Sequence, residues 1–139
     1  MFNEYLGKKL DVIPVHARYH DWWIGLIGSA FGRIAFLKEG TLLYRQHGNN
    51  VVGNQSFASY VKNRVSSLKK QKNILDMTIL QAQDFYRIYG QELPVDKSNL
   101  VYHFANMKKY NWFLRRKIIL KNGYLKTGLI RNIGLLLLI

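Results

Sequence analysis

From Ser56 onward the apolar residues recur at helical steps. Phe57, Val61, Val65, Leu68, Leu75, Ile79, Ala82, Tyr86 and Tyr89 follow one another at intervals of three, four or seven. A chain patterned this way must bury a long helical stripe against a second surface. The polar stretch Lys69 to Asn73 interrupts the stripe, which predicts two helices or one bent helix before Gly90. Asp96 or Ser98 is placed to cap the next helix, with Leu100, Phe104 and Met107 on its apolar face. A further helix is expected over Trp112 to Leu120, ended by Asn122-Gly123, and a last one over Thr127 to Ile139.

The front of the chain reads differently. Phe2, Tyr5, Leu6 and Leu10 suit a short helix, and Pro14 breaks the chain after it. His20 to Phe31 puts Trp23, Leu26, Ile27 and Ala30 on one stripe, with Gly32 as the stop. Arg33 to Leu37 and Thr41 to Arg45 are short β-type runs around Lys38-Glu39-Gly40, a pattern that suits a three-residue hairpin. The polar loop Gln46 to Asn50 follows, and Gly53-Asn54 closes this part. The expected fold class is therefore α+β, mainly α. Residues 1–54 form one part and residues 55–139 a basic helical tail.

Charge narrows the partners. The 139 residues carry 21 Lys and Arg against 8 Asp and Glu, a formal net charge of +13. At 48% hydrophobic the chain is too apolar for a disordered basic tail. Residues 1–54 hold 6 basic and 4 acidic side chains, residues 55–139 hold 15 and 4, and no acidic residue follows Asp96. Such a cationic half favours polyanions: phosphorylated substrates, anionic lipid or nucleic acid. The absence of Cys excludes disulfide scaffolds, thiolate metal sites and cysteine nucleophiles. No apolar run reaches the roughly 20 residues of a membrane span, and the N-terminal residues lack a signal-peptide core. The expected location is cytoplasmic, peripheral to the inner face of the membrane.

Several catalytic patterns fail. His16-Ala17-Arg18-Tyr19-His20 has the two-His spacing of a zinc-protease helix, but Ala17 stands where the general base belongs. There is no phosphate-binding Gly-rich loop, no Gly-x-Ser-x-Gly elbow and no Asp-x-Asp.

The unusual stretch is His20-Asp21-Trp22-Trp23, then Ala30-Phe31-Gly32, then the run 44–53, Tyr-Arg-Gln-His-Gly-Asn-Asn-Val-Val-Gly. Asp21 at a helix start is either an N-terminal cap or a general base at the mouth of a site. Trp22 and Trp23 either join the core or face a sugar ring. His47, in a loop after a strand-like run, is a metal ligand, a phosphate contact or a plain loop histidine. Arg45 either holds a phosphate or is a surface charge.

Together these segments resemble the C-terminal half of bacterial family 2 glycosyltransferases, the rhamnosyltransferase-like group of polysaccharide biosynthesis. The resemblance is specific over residues 1–54 and looser over the tail. It implies the C-terminal portion of a GT-A domain and inverting transfer from a nucleotide sugar to a glycan or lipid-linked acceptor. By it, Asp21 is the base that deprotonates the acceptor hydroxyl, a poor nucleophile until its proton is taken. His20, Trp22, Trp23, Arg45 and Asn50 would contact substrate. His47 would approach the donor diphosphate or a divalent metal, Mn or Mg, that offsets its charge. The Asp-x-Asp half of such enzymes has no counterpart here, so the chain is expected to be a partial enzyme, inactive without a donor-binding half.

The tail supports two further readings. Residues 97–139 hold 9 basic side chains, no acidic one, and interleaved Tyr102, Tyr110, Trp112, Phe113 and Tyr124. That pattern suits helices lying on anionic lipid, or a solvated bundle with basic faces. Nucleic acid is supported by charge alone, with no recognition motif to accompany it.

Overall fold

The computed structural model describes residues 3–35, residue 39 and residues 68–139. Among them the protein is all-α: six helices and one 3-10 turn, with no strand. In chain order the helices are α1 (Glu4–Lys8), α2 (His20–Phe31), α3 (Leu68–Tyr89), α4 (Val95–Ala105), α5 (Trp112–Asn122) and α6 (Leu129–Leu138). The 3-10 turn, Met107–Lys109, links α4 to α5.

This corrects the expected α+β class and the GT-A portion it implied. Arg33, Ile34 and Ala35, which open the first expected strand, are irregular. The second run, Thr41 to Arg45, lies outside the described residues. Local β propensity has force only when a neighbouring strand completes the hydrogen-bond ladder. Here the face of α2 that a sheet would cover is covered by helix instead. Trp23 and Ile27 are fully buried and share a cluster with Phe85, Tyr89 and Leu93 from α3 and its exit.

α3 is the spine. Its 22 residues begin at Leu68 and are helical through Lys69 to Asn73; the residues before Leu68, on the other side of the expected interruption, lie outside the described residues. Lys and Gln are good helix formers, and the buried stripe of the helix starts at Leu75, with Leu68 exposed. The helix stops at Gly90, where a Cβ would run into the Tyr86 carbonyl and ring. The first three turns and the middle of α3 give Leu75 and Ile79 to a second cluster with Met107, Ile118, Ile119, Leu135 and Ile139. The C-terminal half gives Phe85 and Tyr89 to the aromatic cluster around Trp23.

α4 lies along α3, with Gln83 Nε2 donating to the Ala105 carbonyl at 2.9 Å. It starts after Pro94 rather than at an Asp96 or Ser98 cap. The Ser98 hydroxyl is used elsewhere, donating to the Gly90 carbonyl at 3.0 Å. Lys97 reaches across to the end of α2 and donates to the carbonyls of Ser29 (3.1 Å) and Ala30 (2.7 Å), which satisfies open carbonyls at a helix C-terminus. α5 is capped at both ends. The Asn111 side chain accepts from Leu114 N–H, and Gly123 takes the left-handed conformation, φ 68°. Arg115 closes the back of the fold by donating to the carbonyls of Tyr110, Lys108 and Ile139.

Candidate functional site

The start of α2 combines an exposed carboxylate with exposed aromatic rings. Tyr19 occupies the N-cap position in an extended conformation and makes no side-chain cap bond. Asp21 therefore sits inside the first turn, where the helix dipole favours its charge, and is not the cap. Its side chain is exposed, and among the described residues it has no ion-pair or hydrogen-bond partner.

Next to it, Tyr19 and Trp22 meet edge to face, with centroids 5.3 Å apart. The Arg18 guanidinium lies 5.1 Å from the Tyr19 ring and 5.2 Å from the Trp22 ring. Both rings are close to half exposed, Tyr19 44% and Trp22 49%. Trp22 also borders a cavity of about 720 Å³ between α2, α3 and α4, walled mainly by apolar side chains such as Leu26, Phe85 and Leu100.

The two tryptophans thus part company. Trp23 is wholly buried, edge to face with Phe85 at 5.5 Å, and its Nε1–H donates to the Val12 carbonyl at 3.2 Å. It has no open face for a sugar ring and positions α2 instead. His20 is exposed at the first residue of α2, next to Asp21. Arg45, His47 and Asn50 lie outside the described residues. Among the described residues no three of His, Asp and Glu are grouped to hold a metal ion.

Two arrangements emerge that sequence reading missed. Arg18 and Tyr19 precede the motif and complete the ring cluster. The signal lies in His16 to His20, whose two-His spacing suggests a metal motif before it suggests an aromatic one. The second is a clasp beneath the site. His16 Nδ1 lies 2.8 Å from Asp84 Oδ2, and Arg87 donates to Asp84 Oδ1 at 3.1 Å. Burial pushes the Asp84 carboxyl up. The hydrogen bonds and charges of His16 and Arg87 outweigh it and hold the group below its ordinary value. The Arg18 N–H donates to Gln81 Oε1 at 3.2 Å, so the loop before α2 is tied twice to α3.

A similar tie holds α1. Lys9 pairs with Glu92, and the Tyr89 hydroxyl donates to the Lys9 carbonyl. Burial, the largest cause, raises the Tyr89 pKa, and the Glu92 bond raises that of Lys9. Among the described residues no helix is long and apolar enough to cross a membrane. Comparison with protein-family models, curated proteins and solved structures returns no match for this chain.

Proposed function

We propose that this chain supplies the acceptor side of a glycosyl transfer. The reaction moves a sugar from a nucleotide-sugar donor to a glycan or lipid-linked acceptor and needs a donor-binding part to be complete. The observation that carries this reading is the pairing at the start of α2: an exposed Asp21 carboxylate, without a partner among the described residues, next in sequence to the exposed rings of Tyr19 and Trp22. A carboxylate of that kind accepts the acceptor hydroxyl proton as the oxygen attacks the anomeric carbon. The bond from that carbon to the diphosphate breaks, and the nucleotide diphosphate leaves with the electron pair.

Aromatic faces suit the apolar face of a sugar ring, and the cavity bordering Trp22 favours an acceptor with an apolar portion. His20 flanks the same turn as a second acceptor contact. Arg45, His47, Asn50 and any divalent metal belong to the donor diphosphate in this reading. The place of work is the cytoplasm, at the inner face of the membrane.

The test has two steps. Titrated with UDP- and dTDP-sugars, with and without manganese, the chain alone shows no saturable binding, while oligosaccharide acceptors shift Trp22 fluorescence or NMR signals and Trp22→Ala removes the response. In an enzyme completed by a donor-binding part, Asp21→Asn abolishes transfer with helicity unchanged. Retained turnover overturns the assignment of the base.

A further inference from the structure

The back of the molecule carries a surface that glycosyl transfer does not use. α5 gives Ile118 and Ile119 to the aliphatic core, and α6 with the residue after it gives Leu135 and Ile139. Their remaining faces put large apolar side chains into water. On α6, Leu129 (77% exposed), Ile133 and Leu137 (75%) follow at four-residue steps and so form one stripe. On α5, Trp112, Phe113 and Leu120 are exposed, and the Arg116 guanidinium lies 3.7 Å from the Trp112 ring centroid. Lys117 and Lys121 of the same helix are exposed as well.

Charge chooses among the surfaces that could cover these faces. Residues 97–139 hold nine basic side chains and no acidic one. A second copy of the chain would set like charge against like across this region. A nucleic acid would answer the charge and leave the aliphatic stripe of α6 in water. Anionic lipid answers both, with headgroup phosphates for Lys and Arg, the acyl boundary for the leucines, and the interface for Trp112.

We propose that α5 and α6 dock the protein on an anionic phospholipid bilayer. Leu135 packs into the aliphatic core while Leu129, Ile133 and Leu137 face outward, so α6 lies along the interface plane with its outward stripe toward the acyl boundary. The proposal gives the peripheral location inferred above its surface and its lipid class. It stands apart from the chemistry at Asp21, because the substitutions that test it lie on other helices.

The experiment is flotation of the full chain with vesicles of phosphatidylcholine alone, or of phosphatidylcholine with one-third phosphatidylglycerol. The chain floats with the anionic vesicles and far less with the neutral ones, and added salt reduces recovery. Leu129→Ser, Ile133→Ser and Leu137→Ser combined remove flotation while circular dichroism keeps the helical signal. Lys117→Glu with Lys121→Glu, which leaves every apolar side chain in place, weakens binding by about tenfold or more. Equal recovery on neutral and anionic vesicles overturns the proposal, as does wild-type flotation of the serine variant. Without vesicle binding, a dimer abolished by the serine substitutions assigns the face to a second copy. Salt-sensitive RNA binding that those substitutions leave intact assigns it to nucleic acid.

Discussion

The two ends of α3 are built from different materials. Toward its C-terminus it packs aromatic rings: Trp23, Phe31, Phe85 and Tyr89 meet at centroid distances of 5.2 to 6.2 Å. Toward its N-terminus it packs aliphatic side chains, with Leu75, Ile79, Ile118, Ile119, Leu135 and Ile139 around Met107. The aromatic end is edged by ion pairs that cross long stretches of sequence, His16 with Asp84 and Lys9 with Glu92. At the aliphatic end the Asp76–Lys108 pair (3.0 Å) joins α3 to the turn before α5, and Arg115 ties three carbonyls. Aromatic pairs and ion pairs have preferred geometry, so the aromatic end can hold the start of α2 in a fixed pose. The aliphatic end is less directional, and its helices present apolar and basic residues outward. The difference separates a positioning core from a docking core.

Trp23→Ala tests that division most severely. It removes the largest buried side chain of the aromatic end and costs about 3–5 kcal/mol in a denaturant melt. If the aromatic end positions the site, the ring cluster at Tyr19 and Trp22 loses its definition as well, seen as collapse of near-ultraviolet circular dichroism. Ile119→Ala, at the fully buried centre of the aliphatic end, costs about 2–4 kcal/mol and leaves the near-ultraviolet signal of Trp22 and Trp23 in place. Equal spectral loss in both variants would mean one undivided core.

Asp84→Asn probes the clasp on which α2 rests, and a loss of about 2 kcal/mol is expected, in the range for hydrogen bonds to a charged group. The same residue gives a pH dependence with a definite sign. Its folded pKa lies below the ordinary 3.8, so its contribution is complete above that value. The contribution is lost as pH falls through the ordinary value to the folded one. Acid melts of wild type should therefore lose stability more steeply below pH of about 4 than melts of Asp84→Asn. Parallel curves would mean that the clasp does not stabilise the fold.

How far the sequence announced these features depends on how local each signal is. The bounds of α2 and α5 were legible because a periodic stripe and a terminating glycine, Gly32 and Gly123, both act within one turn. The strand reading of Arg33 to Leu37 failed where the structure describes it. A three-residue run such as Arg-Ile-Ala has no ladder until another segment supplies one, and α3 supplied the cover for α2 instead. Asp21 was legible as a first-turn acid. Which tryptophan beside it faces out was not, because neighbouring helical positions differ by about 100° and the choice is made by Phe85 and Tyr89 on another helix. His16 and Asp84, 68 residues apart, could be paired only by the fold.

The smallest expected effect compares the starts of α2 and α5. Asn111 accepts from Leu114 N–H at 2.9 Å, so Asn111→Ala should cost about 1 kcal/mol and Asn111→Gly only a few tenths. Tyr19 makes no such bond, so α2 begins with first-turn N–H groups that no cap side chain satisfies, beside an exposed acid. Tyr19→Ser supplies the missing acceptor, since serine is a preferred cap, and removes one ring of the cluster. Urea melts should show Tyr19→Ser no less stable than wild type, while oligosaccharide binding at Trp22 falls. That combination is expected of a helix start shaped for binding rather than for stability. If Tyr19→Ser destabilises as much as Asn111→Ala, or leaves oligosaccharide binding untouched, the ring of Tyr19 is packing, and the acceptor platform shrinks to Trp22 alone.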